Sequence, residues 1–140
     1  MIHVPQYLFS QSKRLNTPVK IICTEPRRIT AISVSERVAL ETGTKFGDLI
    51  GYQVRLESCT SPYTLLTFCT NGVLLRTLMG NLNVLSSITH IIVDEIHGGD
   101  KFSDFLVAVL RNALVKFTNS KLILMSATFQ AIVCKNTSST

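Results

Sequence analysis

Asp94-Glu95 is an adjacent carboxylate pair directly after the apolar run Ile91-Ile92-Val93. In nucleotide hydrolysis the first carboxylate of such a pair anchors Mg²⁺, often through water, and the second orients or deprotonates the attacking water. An isolated Asp-Glu pair is equally at home in a solvated turn before a helix. His97 follows shortly after, and it either reports on the state of a nucleotide or simply donates to a backbone carbonyl. Two further polar clusters follow apolar runs, Thr24-Glu25-Pro26-Arg27-Arg28 and Ser126-Ala127-Thr128. Arginine is disfavoured at the positive end of a helix, so Arg27 and Arg28 at a helix start point to an anion there; a solvated helix start is the plainer reading. Ser126-Ala127-Thr128 alone is too short to carry meaning.

Such clusters matter only if the chain sets them side by side, and the order of elements does so. Short β-branched runs alternate with segments of helical period, the pattern of βαβ units and a largely parallel sheet. The patterning predicts strands over 19–23, 52–56, 64–69, 90–93 and 121–125, with turn composition over 58–62. It predicts a helix over 29–42, with Ala31, Val34 and Val38 on one face and Gly43 suited to the C-cap. Thr70-Asn71-Gly72 opens a short helix that buries Leu74, Leu75 and Leu78 and closes at Gly80-Asn81. Ser103 suits the N-cap of a last helix running to about 117. In an open parallel sheet ligands bind at the carboxyl ends of the strands, which is where all three polar clusters fall.

At 140 residues and 46% hydrophobic, the chain fits one buried α/β core. A net charge of +5 is mild, as suited to solubility as to a nucleic-acid partner. Cys23, Cys59, Cys69 and Cys134 form no C-x-x-C pair, which leaves buried reduced thiols rather than a zinc site. No apolar stretch approaches the roughly 18 residues of a membrane span, and Pro5-Gln6 stands where a signal peptide has its apolar segment. A soluble intracellular protein, cytoplasmic or nuclear, is the expectation. Residues 130–140 turn polar and low in complexity, so a domain over 1–129 with a disordered tail is expected.

Taken together, the motifs resemble those of the DEAH/DEIH-box, RNA-helicase-A-type ATP-dependent RNA helicases. Ile91-Ile92-Val93-Asp94-Glu95-Ile96-His97 resembles their motif II in its DEIH spelling. Thr24-Glu25-Pro26-Arg27-Arg28-Ile29-Thr30-Ala31 is similar to motif Ia, Gly51-Tyr52-Gln53-Val54-Arg55 to their GYxIR segment, and Thr70-Asn71-Gly72-Val73-Leu74-Leu75-Arg76 to motif Ib. Leu124-Met125-Ser126-Ala127-Thr128 looks like motif III. All lie in family order between about residues 4 and 128. Within the family, residues 50–58, 65–78 and 102–106 look closest to the branch that also carries a YTH RNA-reading domain.

The resemblance implies an N-terminal RecA-like (P-loop NTPase) lobe, an α/β fold with a largely parallel sheet flanked by helices. It implies ATP and Mg²⁺ as cofactors and single-stranded RNA as partner, held by its backbone. Asp94 and Glu95 would hold the metal and Glu95 would activate water. His97 would couple the nucleotide site to Ser126, Ala127 and Thr128, and Thr24, Arg27, Arg28, Thr70, Asn71 and Gly72 would grip RNA. The family moves 3′ to 5′ along RNA.

Departures from the family pattern are also legible. The family's GxGK[ST] phosphate loop is absent, although His3-Val4-Pro5-Gln6-Tyr7 resembles the helix that follows it. The sheet is therefore expected to be incomplete at the N-terminus, with the edge of the 121–125 strand exposed. Gly98-Gly99 replaces the family's Glu-Arg after motif II, and the second RecA-like lobe is missing. The isolated 140 residues are thus expected to be inactive as an ATPase. A non-catalytic RNA-binding or interaction module derived from a helicase lobe is the rival expectation.

Overall fold

Successive residues of each central strand point to opposite faces of a single sheet, and each face recruits its own helices. The computed structural model describes residues 3–94, 101–125 and 132–134. The elements run α1 (His3–Leu15), β1 (Ile21–Glu25), α2 (Arg28–Thr42), β2 (Ile50–Val54), β3 (Glu57–Cys59), β4 (Leu66–Thr70), α3 (Asn71–Gly80), a 3₁₀ turn (Leu82–Ser87), β5 (His90–Val93), α4 (Lys101–Ala113), β6 (Lys121–Leu124) and β7 (Ile132–Cys134). The sheet order is β3-β2-β4-β1-β5-β6-β7. The five inner strands are parallel, and β3 and β7 flank them antiparallel. This is the expected α/β fold with a largely parallel sheet flanked by helices.

On one face Ile21, Cys23, Leu66, Phe68, Ile92 and Ile123 pack with Phe9 of α1 and Ala31, Val38 and Ala39 of α2. On the other, Cys69, Ile91, Val93, Leu122 and Leu124 meet Leu74, Leu75 and Leu78 of α3 and Leu106 and Leu110 of α4. Helix α2 ends where Gly43 takes the left-handed conformation (φ 70) and its N–H bonds back to the helix, as its composition predicts. Among the described residues no helix is long and apolar enough to cross a membrane. Cys23 and Cys69 are free and buried; burial pushes both thiols up, Cys69 to about 12, so both stay protonated and inert.

Several boundaries differ from the sequence expectation. β1 starts later than residue 19 and runs on through Thr24 and Glu25, because the ladder to β4 continues to Glu25↔Thr70. β2 lies over 50–54 rather than 52–56, since Leu56 adopts φ 67 and turns the chain into β3. β3 itself falls where turn composition begins. Ser103 is not an N-cap: α4 starts at Lys101, and Ser103 is buried in its first turn. Residues 132–134 form β7 along β6, so the edge of the 121–125 strand is covered rather than open.

Candidate functional site

Parallel pairing brings the ends of β4, β1, β5 and β6 into one row. Glu25 stands opposite Thr70. The Asp94 N–H donates to Thr24 O at 3.2 Å, and the Met125 N–H donates to Val93 O at 2.9 Å. Thr24, Glu25, Thr70 and Asp94, far apart in the chain, therefore meet at a single carboxyl edge. Glu95, His97, Ser126, Ala127 and Thr128 lie outside the described residues, as do Gly98 and Gly99.

Asp94 is 2% exposed and Thr24 is fully buried. Thr24 Oγ1 has no hydrogen-bond partner among the described residues. Leaving a buried hydroxyl unpaired costs about 1–3 kcal/mol, so the spot suits an ordered water. Asp94, a carboxylate at the end of a buried strand, has the donor chemistry of the Mg²⁺ half of a nucleotide site. The phosphate half finds no counterpart, since no GxGK[ST] occurs in the sequence.

The side chains proposed to grip RNA divide into two groups. Thr24 and Asn71 are buried, so neither hydroxyl nor amide faces solvent where a backbone could lie. A Cβ at Gly72 would meet nothing, so no close approach demands glycine there. Thr70, by contrast, is the N-cap of α3 and is only half-buried, and its side chain makes no capping bond, which leaves its hydroxyl for another acceptor or donor. Arg27 is the exposed N-cap residue of α2 and makes no ion pair among the described residues.

Arg28 is exposed at the same helix start, yet it is engaged. Its Nη2 donates to Glu57 Oε1 at 3.0 Å across the β2–β3 hairpin. The Tyr52 hydroxyl donates to the other carboxylate oxygen, Oε2. The Tyr52 ring is fixed in turn by stacking on Phe46, centroids 5.8 Å apart. The bond from Tyr52, with a smaller contribution from Arg28, holds the Glu57 carboxyl below the usual carboxylate range; the same bond pushes the Tyr52 phenol up to about 12. Sequence reasoning missed Glu57 because it falls between the strand expected over 52–56 and the turn composition of 58–62. It also passed over Glu25, a carboxylate only 2% exposed in the same row as Asp94; its place directly after an apolar run was the available signal.

No family model matches the chain. Curated relatives do: the DExH-box ATP-dependent RNA helicase DExH6 of Arabidopsis thaliana is 52% identical over 133 residues, covering 91% of this chain. The chain belongs to the DExH-box helicase family. The Arabidopsis DExH-box ATP-dependent RNA helicase DExH2 is also 52% identical, over 134 residues, and mouse DHX57 is 49% identical over 132 residues. The chain spans 10%, 8% and 9% of the lengths of these three relatives. The DExH-box relation agrees with the row of strand ends, since the similar stretch runs through nearly all of the elements that build it.

Proposed function

We propose that residues 1–129 form part of the N-terminal RecA-like lobe of an ATP-dependent RNA helicase, in which NTP hydrolysis drives unwinding in the 3′ to 5′ direction. The observation that carries this reading is the alignment of Asp94, Thr70 and the Arg27-Arg28 helix start along one carboxyl edge. Asp94 holds Mg²⁺ and Glu95 orients the attacking water. His97, Ser126, Ala127 and Thr128 pass the nucleotide state to the RNA side. Bound Mg²⁺ supplies charge neutralisation at the transferring phosphoryl group. Arg27, Arg28 and Thr70 hold phosphates of single-stranded RNA, which positions the strand without reading sequence. Thr24 acts through its carbonyl, which fixes the backbone at Asp94. Asn71 and Gly72 act by forming the helix start behind Thr70.

The narrower likeness to the YTH-carrying branch rests on residues 50–58, 65–78 and 102–106 alone. A second reading, a non-catalytic RNA-binding module, is favoured for the chain on its own by the lack of GxGK[ST] in its 140 residues. The two readings differ in whether ATP alters RNA affinity. Titration of a fluorescent single-stranded RNA at several salt concentrations tests the shared element. Arg27→Ala/Arg28→Ala is expected to weaken binding and to flatten the salt slope by about 0.7–1.4, or about 0.7 per lost phosphate contact. Equal affinity and slope in both proteins would remove this edge as the RNA grip.

A further inference from the structure

An arginine presented to bind phosphate is here already holding a carboxylate. Arg28 Nη2 lies 3.0 Å from Glu57 Oε1, and both side chains are partly open to solvent, at 57% and 45% exposure. The carboxylate is not a loosely placed surface group, because its second oxygen accepts the Tyr52 hydroxyl and Tyr52 is itself buried at 7% exposure and stacked on Phe46. Glu57 is moreover the first residue of β3, pinned by its pairing with Val54. The hairpin therefore presents a fixed anion to the helix start. Carboxylate and phosphate oxygens accept the same guanidinium donors, so the Glu57 oxygen stands where a phosphodiester oxygen would.

We propose that Glu57, positioned by Tyr52, is an intramolecular gate on the RNA grip: it occupies Arg28 until the phosphodiester backbone of single-stranded RNA displaces it. This rests on the reading that Arg28 contacts RNA phosphate. The device works because the pair is weak. An exposed Arg–carboxylate pair in water is marginal, so a polyanion that also meets Arg27 and Thr70 displaces it, whereas a lone anion competes on even terms. Arg27, which makes no ion pair among the described residues, holds phosphate throughout, and Arg28 joins it once the strand is fully seated. A released Glu57 stays bonded to Tyr52, so the hairpin keeps its shape while the guanidinium turns away. Glu57 is thus a positioning residue, since it acts on RNA only through Arg28.

The test is a double-mutant cycle on the full chain, with fluorescent single-stranded RNA as the probe and far-ultraviolet circular dichroism to check folding. Wild type, Glu57→Gln, Arg28→Ala and the double variant are compared at several salt concentrations. Glutamine keeps size and polarity but forms no ion pair. The expected result is a gain of roughly two- to fivefold in affinity for Glu57→Gln. That gain should vanish in the Arg28→Ala background, because the gate acts through Arg28 alone. A gain of equal size in both backgrounds would mean that removing one negative charge is the whole effect, and the gate is overturned. Weakening by Arg28→Ala without any gain from Glu57→Gln also overturns the gate, but keeps Arg28 as a phosphate contact. If Arg28→Ala leaves affinity and salt slope unchanged, the reading beneath the gate fails, and the gate with it.

Discussion

At the scale of single residues, the Tyr52–Glu57–Arg28 contact makes a signature that titration can read. The Tyr52 phenol is raised from 10.0 to about 12, chiefly because its proton is shared with Glu57. A raised folded value means that this contribution to stability is whole below the ordinary phenol range and is lost as pH climbs through about 12. The Glu57 carboxyl is lowered, chiefly by the same bond, so its contribution is whole above the ordinary carboxylate range and is lost as pH falls through the depressed folded value. Between those limits the contact is insensitive to pH. In Glu57→Gln the carboxylate acceptor is gone, and the Tyr52 phenol is expected to ionise well below 12, back toward 10.0. Near-ultraviolet tyrosinate absorbance of the two proteins against pH checks this. Superimposable alkaline titrations would show that the hydroxyl of Tyr52 is not bonded to Glu57 in solution.

At the scale of elements, the β2–β3 hairpin exists because Gly51 has no side chain. A Cβ there would sit 2.0 Å from Cys59 O and 3.1 Å from Cys59 C, both of them backbone atoms that cannot swing aside. Gly51→Ala is therefore expected to cost about 1–3 kcal/mol, the range of overpacking in a close-packed site, read as a lower denaturation midpoint. It is also expected to move Glu57 away from Arg28, since β3 holds Glu57. A Gly51→Ala protein as stable as wild type would mean that the hairpin lies further open in solution. This hairpin is also where the sequence said least. Parallel inner strands were legible from their β-branched runs, and Gly43 as a helix stop from its type and place. Ser58-Cys59 falls in the turn composition of 58–62, and only its partner strand makes Glu57–Cys59 β-structure. Thr24-Glu25 looked like a loop for the same reason, since its ladder to β4 comes from residues 45 positions away (Glu25↔Thr70). The positions of Asp94 at a strand end and of the exposed Arg27-Arg28 pair at a helix start followed from residue type after an apolar run. The burial of Thr24 and Asn71 and the pairing of Arg28 with Glu57 did not, because each depends on neighbours that only the folded sheet supplies.

At the scale of the whole molecule, the edge at β6 and the row of strand ends belong to one question: what a RecA-like sheet does with the residues present. β7 runs antiparallel along β6, and a short covering strand of this kind blunts an edge that would otherwise template pairing with another chain. Covering an edge is not the same as completing a nucleotide site. Asp94 is a buried carboxylate at a strand end, a donor type that suits a hydrated cation, but the β and γ phosphates of ATP need convergent backbone amides and a lysine as well. Nothing in the sequence has the GxGK[ST] pattern that provides them. Electrostatics cannot substitute, since a net charge of +5 spread over the chain attracts polyanions without orienting a triphosphate. The 140-residue chain is therefore expected to release phosphate from Mg²⁺·ATP at the background rate, with or without single-stranded RNA, while still binding that RNA no more tightly than about 10⁻⁴ to 10⁻⁶ M at physiological salt. Phosphate release measured for wild type and Glu95→Gln decides the matter. RNA-stimulated turnover that disappears in Glu95→Gln would show that these residues assemble a working phosphate site without the loop.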